Sequence, residues 1–307
     1  MASRRSDDTM FAIDASIASD VKSNILFAVP KKGRLFEKCT KLLDGAGLDY
    51  DRPNRLDVAR CSSLPITLVF LPAADIATYV GEGNVDIGIT GVDVLEESNV
   101  EVDRILDLGF GRCKLSLQAP VSSGYTDASQ LSGKRIVTSF PSLAKNFFHQ
   151  YDTAERQTQI KFVSGSVEAA CGLGLADAVV DLVETGTTMR AAGLEIVCDV
   201  LTTEAILISS KSSRHGDMIE LIKKRIKGYI TSTNYMMIQY NVGRENLRSA
   251  LLITPGKRSP TVSPLENEDA VAVSALVVKS ESSKIMDQLE SVGATDILLF
   301  SLNNSRM

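Results

Sequence analysis

Residues 83–91 read GNVDIGITG and residues 174–188 read GLADAVVDLVETGTT. Both open on Gly-x-(Val/Ala)-Asp, run into an apolar β-type stretch and break at a Thr-Gly turn before a helical pattern. In the first copy Val85–Ile89 is the strand, and Thr90-Gly91-Val92-Asp93 leads into a helix near Val94. In the second, Val179–Val183 is the strand and Glu184-Thr185-Gly186-Thr187-Thr188 opens the helix. Each copy follows an earlier strand–Pro–helix unit. Ile25–Val29 stops at Pro30, after which Leu35, Phe36, Cys39, Leu42 and Leu43 recur at helical spacing until Gly45 and Gly47. Ile136–Ser139 breaks at Phe140-Pro141, with Leu143, Phe147 and Phe148 beyond it. Ile66–Leu71 adds a strand to the first half, and Asp75 stands where it would cap the helix through Val80. Two halves of this plan predict two α/β lobes, each with a mostly parallel sheet, and a cleft between them. Ligands of such sheets bind at the carboxyl ends of strands. Here those ends are the polar turns after Val29, Ile89, Ser139 and Val183.

Ile206–Ile208 is a further apolar run. Met218, Ile219, Ile222 and Ile226 then mark an amphipathic helix, which carries Lys223, Lys224 and Lys227 on its other face and ends at Gly228. The remainder reads strand Tyr235–Val242, helix Arg244–Leu252, strands Ser259–Leu265 and Ala270–Lys279, helix Ser280–Val292 and strand Asp296–Leu302. That order, βαββαβ, is the ferredoxin-like arrangement. By fold analogy such a module behind a two-lobed body is a small-molecule sensor. The expected boundaries are an extension over 1–23, a first lobe over 24–113 completed by about 198–215, and a second lobe over 114–197. A connecting helix over 216–228 and the C-terminal domain over 229–307 follow.

The chain has 307 residues, enough for two or three such domains. With 33 basic and 38 acidic residues its net charge is −5, which argues against a general nucleic-acid binder but leaves room for local phosphate sites. No apolar run reaches the length of a membrane span. The first 23 residues carry Arg4 and Arg5 but also Asp7, Asp8, Asp14 and Asp20, with no apolar core. They read as a mobile extension rather than a secretory or transit signal. Five cysteines without CxxC spacing read as reduced thiols of a cytoplasmic protein. The two histidines, His149 and His215, leave little scope for a His-rich zinc site or a Ser-His-Asp triad.

Four turns carry candidate chemistry. In VDLVETGTT (180–188), Asp181 can accept hydrogen bonds from sugar hydroxyls, while Thr185, Gly186, Thr187 and Thr188 offer amides and hydroxyls to a phosphate. Gly186 permits close approach or positive φ, and a helix start favours an anion. An ordinary capped helix start accounts for a bare TGTT as well. Lys31-Lys32-Gly33-Arg34 suits a diphosphate or triphosphate, or is a solvated turn. Thr90-Gly91-Val92-Asp93 is a ligand turn or a plain cap. Ser139-Phe140-Pro141-Ser142 with Lys145 is an anion seat, or each part has a local role; Lys134 and Arg135 before it read as surface charge. No feature offers a poised nucleophile, so the chemistry reads as transfer between bound substrates.

Six segments in order resemble one family: FAVPKKGRL (27–35), LPAADIATYVGEGNVDIGITGVDVL (71–95), GKRIVTSFPSLAKNFF (133–148), FVSGSVEAACGLGLADAVVDLVETGTTMRAAGL (162–194), ITPGKRSPTVSPL (253–265) and IMDQLESVGATDIL (285–298). They resemble the long form of ATP phosphoribosyltransferase, the first enzyme of histidine biosynthesis. The resemblance implies a body of two lobes like those of periplasmic binding proteins and a ferredoxin-like domain that binds histidine as feedback inhibitor. The implied reaction joins N1 of ATP to C1 of the ribose of phosphoribosyl pyrophosphate with inversion and releases pyrophosphate. Mg²⁺ rides on the pyrophosphate, and no dedicated protein metal site is implied. Asp181, Glu184 and Lys31 become the catalytic groups. Thr185, Gly186, Thr187 and Thr188 hold the 5-phosphate, Asp181 the ribose, and Ser139 and Lys145 the pyrophosphate. Lys31, Gly33, Arg34, Thr90 and Asp93 face ATP. Asn241, Thr261, Leu276 and Asp296 lie at the regulatory histidine. Some relatives carry Asp where Asn241 stands, so Asp296 is the acid left to meet the α-amino group. The family further implies a homo-hexamer built from dimers, AMP or ADP competing at the ATP site, and neither nucleic acid nor membrane as partner. Three other readings share parts of this pattern: a two-lobed solute-binding or sensor protein without turnover, a phosphoribosyltransferase with another acceptor base, and an inactive regulatory subunit.

Overall fold

The computed structural model describes residues 23–52 and 56–306. All but the last residue of the expected N-terminal extension lies outside them. The described residues form two compact units. One runs to Thr40 and resumes over Leu48–Ile219; the other combines Lys41–Gly47 with the chain from Glu220 onward. Among the described residues no helix is long and apolar enough to cross a membrane.

The first unit holds two sheets. One contains Ile25–Pro30 (β1), Tyr50–Asp51 (β2), Val58–Cys61 (β3), Ile66–Leu71 (β4), Ile87–Gly91 (β5), Asp103–Asp107 (β6) and the later Ala205–Ser209 (β12), in the order β2-β3-β4-β1-β5-β12-β6. The other contains Cys113–Pro120 (β7), Arg135–Thr138 (β8), Gln159–Phe162 (β9), Ala178–Val183 (β10) and Leu194–Thr203 (β11), in the order β11-β7-β10-β8-β9. The expected lobes are therefore present, but their sheets are mixed rather than mostly parallel. Only β4-β1-β5 and β10-β8-β9 run parallel, and the flanking strands pair antiparallel. The chain leaves the first sheet after β6, and it returns between Thr203 and Ala205. The second sheet thus extends past the expected lobe boundary at 197.

The paired Gly-x-(Val/Ala)-Asp motifs have one structural job. Asp86 accepts a hydrogen bond from the Leu26 amide at 2.8 Å, and Asp177 accepts one from the Arg135 amide at 2.9 Å. Each aspartate pins the start of its strand to the neighbouring parallel strand, β5 to β1 and β10 to β8. Arg135, expected as surface charge, instead pairs with Asp177 through Nη2 at 2.9 Å. Its hydrogen bonds hold the Asp177 carboxyl below the usual carboxylate range.

Six helices complete this unit: Phe36–Gly45 (α1), which spans both units in sequence, Ala73–Gly81 (α2), Val92–Ser98 (α3), Pro141–Phe148 (α4), Ala169–Gly172 (α5) and Thr187–Ala191 (α6). Asp75 does not cap α2, which starts after Pro72 without a side-chain cap. All five residues of β5 are buried, as expected of a central strand covered on both faces. Thr90 and Gly91 therefore belong to the strand and not to a turn. Phe27, Leu68, Phe70 and Ile89 fill the first core, and Leu115, Leu117, Ile136 and Phe148 the second.

The second unit contains Gly216–Asn234 (α7) from Glu220 on, then Tyr235–Gly243 (β13), Leu247–Ile253 (α8), Thr261–Pro264 (β14), Ala270–Val278 (β15), Ser282–Ser291 (α9) and Thr295–Ser301 (β16). The sheet order β14-β15-β13-β16, antiparallel throughout, is that of the ferredoxin-like fold. Ile238, Tyr240 and Val242 alternate on β13, as Val271, Val273 and Ala275 do on β15, to face Ala250, Ile285 and Leu289 of the helices. The expected helix stop at Gly228 is absent. Gly228 is small because the C-terminal segment lies against it: a Cβ there would collide with the Ser305 carbonyl, and the Ser305 hydroxyl donates to the Gly228 carbonyl at 2.9 Å.

Candidate active site

Strand β10 delivers Asp181 and then the Thr185-Gly186-Thr187-Thr188 loop to the carboxyl edge of the second sheet. Gly186 precedes α6 at φ +72°, where a side chain is strained and a Cβ would stand 2.7 Å from Arg190 Nη1. The cap is therefore glycine, not the threonine an ordinary helix start would use. The loop is preorganised: the Thr185 and Thr187 hydroxyls are 3.0 Å apart, and Arg190 Nη2 donates to the Thr185 carbonyl at 2.9 Å. Thr185, Thr187 and Thr188 remain exposed.

Arg34 of the first lobe meets this loop. It lines, with residues Leu182 to Gly186, Thr188 and Met189, a cavity of about 250 Å³. Its guanidinium is fixed by the segment between β6 and β7 and by the first residue of β7, donating to the Gly111 carbonyl at 3.1 Å and to Cys113 Sγ at 2.7 Å. Burial pushes the Cys113 thiol up, and the Arg34 charge opposes that rise. Lys38 of α1 stands 3.9 Å from Glu184 across the same gap. Gly33 adopts φ +89°, which swings the basic turn into its shape. Lys31 is drawn to Asp57 at 3.4 Å, while Lys32 is exposed.

Burial pushes the Asp181 carboxyl above the usual carboxylate range; the Leu182 amide, donating to it at 2.8 Å, opposes this and the Glu168 carboxylate adds to it. Glu168 was not singled out by sequence, since its charge acts on Asp181 only through the fold.

The other expected site residues are distributed differently. Ser139 donates to the Val163 carbonyl at 2.7 Å, and Lys145 is exposed one turn into α4. The start of α4 is not vacant. Glu97, on α3 of the opposite lobe, accepts from the amides of Ser142 and Leu143, both at 2.9 Å. Thr90 and Asp93 are buried rather than presented to an open ATP side. Asp93 accepts from the Thr203 hydroxyl at 2.7 Å and holds the returning strand, while the Thr90 hydroxyl has no partner among the described residues.

In the second unit Thr261 and Leu276 line one cavity of about 530 Å³. Asn241 and Asp296 are not among its lining residues. They bind each other, Asn241 Nδ2 donating to Asp296 at 2.9 Å, and Asp296 has φ +52°. All five cysteines are free, and the described residues hold no group of three or more His, Cys, Asp or Glu arranged for a metal ion.

The family described as HisG, ATP phosphoribosyltransferase, matches residues 72–228, and the HisG C-terminal domain matches residues 232–304. ATP phosphoribosyltransferase of Yarrowia lipolytica is 50% identical over 294 residues, covering 95% of this chain and 99% of the relative. That of Saccharomyces cerevisiae is 48% identical over 295 residues, covering 95% and 99%. Among solved structures, the ATP phosphoribosyl transferase (HisG:HisZ) complex from Thermotoga maritima superposes with a TM-score of 0.56 at 26% identity, over 66% of this chain and 98% of that one. The chain belongs to the ATP phosphoribosyltransferase family, the pentosyltransferases of the first step of histidine biosynthesis, in the form that carries its own C-terminal regulatory domain.

Proposed function

We propose that the cleft of the first unit binds phosphoribosyl pyrophosphate on the Thr185–Thr188 loop and ATP on the side of Lys31, Gly33 and Arg34. The observation that carries this is the cavity where Arg34 of one lobe faces the Thr-Gly-Thr-Thr loop of the other, on the strand that bears Asp181. The exposed threonine hydroxyls and the Gly186 amide receive the 5-phosphate. The Asp181 carboxylate accepts from the ribose hydroxyls, and its charge opposes the positive charge that develops on the ring as the C1–oxygen bond to pyrophosphate breaks. N1 of ATP forms the new bond to C1 from the opposite face. Arg34 and Lys31 stabilise the negative charge gathering on the departing group. Lys145 reaches the same anion from the second lobe. Thr90 and Asp93 shape the ATP side from beneath, through their hold on the returning strand, rather than by contact.

The donor set fits Mg²⁺ carried by the substrate. With no cluster of three ligating side chains among the described residues, exposed Glu184 is the carboxylate that would complete the shell of an ion already held by diphosphate oxygens. Such an ion supplies charge neutralisation to the leaving group. Histidine is read at Thr261 and Leu276, with AMP or ADP competing for the ATP side, in a cytoplasmic hexamer built from dimers.

The test is a near-ultraviolet turnover assay with ATP, phosphoribosyl pyrophosphate, Mg²⁺ and pyrophosphatase, with and without histidine. A signal that needs both substrates and falls with histidine is expected. A signal indifferent to histidine would remove the sensor reading, and binding without turnover would favour a solute-binding protein.

A further inference from the structure

Arg34 is exposed, yet one edge of its guanidinium is already engaged. Nη1 donates both to the Gly111 carbonyl at 3.1 Å and to Cys113 Sγ at 2.7 Å. Among the described residues Nη2 and Nε form no hydrogen bond or ion pair, and the side chain lines the cavity beside Thr185, Gly186 and Thr188. One edge is thus anchored and the rest is left for a ligand. Leu35, the next residue, packs on the same segment: a Cβ on Gly111 would stand 2.6 Å from its Cδ2.

Cys113 is buried and begins β7. Across the sheet it pairs with Thr203, whose hydroxyl holds Asp93. Burial pushes its thiol up, the Arg34 charge opposes the rise, and the Asp93 and Glu184 carboxylates add to it. The acceptor beside Arg34 is therefore an uncharged thiol at neutral pH. A carboxylate in its place would bind the guanidinium more strongly but cancel its charge where an anion has to be held. A neutral sulfur is a weak acceptor that gives direction and leaves the positive charge to the ligand. A guanidinium oriented beforehand also loses less rotamer freedom when the anion arrives.

We propose that Cys113 is a positioning residue for the transfer reaction: its sulfur aims the Arg34 guanidinium at the leaving group while leaving that cation uncompensated. The proposal rests on the reading of Arg34 as a group that meets the departing pyrophosphate. It gives the thiol no chemical step; the sulfur neither attacks nor transfers a proton.

Steady-state kinetics of the full 307-residue chain, with melting temperatures as a check on folding, test it. Arg34→Ala should lower kcat/KM for phosphoribosyl pyrophosphate about a hundredfold. Cys113→Ala should lower it about tenfold, the loss of one hydrogen bond to a charged group. Cys113→Ser, whose hydroxyl still accepts, should stay within about threefold of the parent. Cys113→Asp should fall below Cys113→Ala although its carboxylate is the stronger acceptor; a merely structural tether predicts the reverse order. Added to Arg34→Ala, Cys113→Ala should cost nothing further. If Arg34→Ala is crippled while Cys113→Ala equals the parent, or if the two losses combine in full, Cys113 does not act through Arg34, and the proposal falls with the cleft reading intact. If Arg34→Ala is itself as active as the parent, the cleft reading falls and takes the proposal with it. Should Cys113→Asp fail to fold, the contrast of Ala with Ser and the double variant decide the matter.

Discussion

Glu97 caps a helix that belongs to the other lobe: its two carboxylate oxygens accept from the amides of Ser142 and Leu143 at the start of α4, each at 2.9 Å. An anion seat is present there, as Ser139-Phe140-Pro141-Ser142 implied, but the chain supplies its own anion. The cap therefore also tethers the two lobes. Replacing Glu97 by Ala removes two charge-assisted bonds and should destabilise the chain by about 1–2 kcal/mol. Gln, which retains one acceptor, should cost roughly half as much. Urea midpoints measure this, and an Ala variant as stable as the parent would show the tether to be inert.

Asp181→Asn should lower kcat about a hundredfold or more, because the carboxylate faces developing positive charge. Its effect on stability has the opposite sign. Burial raises the folded-state pKa of Asp181. The group's contribution to stability is therefore full below its unfolded value and is lost as pH rises through the folded one. The amide, which can still accept from Leu182, escapes that loss. The melting temperature of Asp181→Asn minus that of the parent should grow between about pH 4 and pH 7. A difference that is flat with pH would contradict the buried-carboxylate account.

Asp177 behaves in the reverse sense. Its hydrogen bonds from Arg135 depress its pKa, so its contribution is present above the unfolded value and lost as pH falls through the folded one. Asp177→Ala should cost about 1–2 kcal/mol at neutral pH, most of it from the lost acceptor for the Arg135 amide, since the half-exposed ion pair is screened. In strong acid the gap should narrow by the charge-dependent share only, because a protonated carboxyl still accepts from the Arg135 amide. Denaturant titrations at two pH values check both points.

The duplicated Gly-x-(Val/Ala)-Asp strands were legible because the motif recurs in front of an apolar run; the task of its aspartates, which bind amides 60 and 42 residues away, was not. The βαββαβ order was legible from its alternating strands and glycine stops. Three features were not. The edge strands β6 and β9 are short and mostly exposed, and β11 is interrupted by register shifts, so none carries a period-two pattern long enough to mark a strand. Gly228 reads as a stop but serves close packing by a segment near the C-terminus. Glu97 was not singled out from the sequence, because its partners are 45 and 46 residues away. At the site, the loop from Thr185 and the basic turn at Arg34 were readable as motifs. The burial of Thr90 and the mutual pairing of Asn241 with Asp296 depend on tertiary placement.

The central claim is that the Thr185–Thr188 loop seats the phosphate of phosphoribosyl pyrophosphate. The most direct measurement is steady-state kinetics of Thr187→Val/Thr188→Val with each substrate varied in turn. Both side chains are exposed, so the fold should persist. The account predicts that KM for phosphoribosyl pyrophosphate rises at least tenfold, the loss of one or two charge-assisted hydrogen bonds, while KM for ATP changes less than about threefold. Equal losses for the two substrates in a folded variant would contradict it and move the phosphate seat elsewhere.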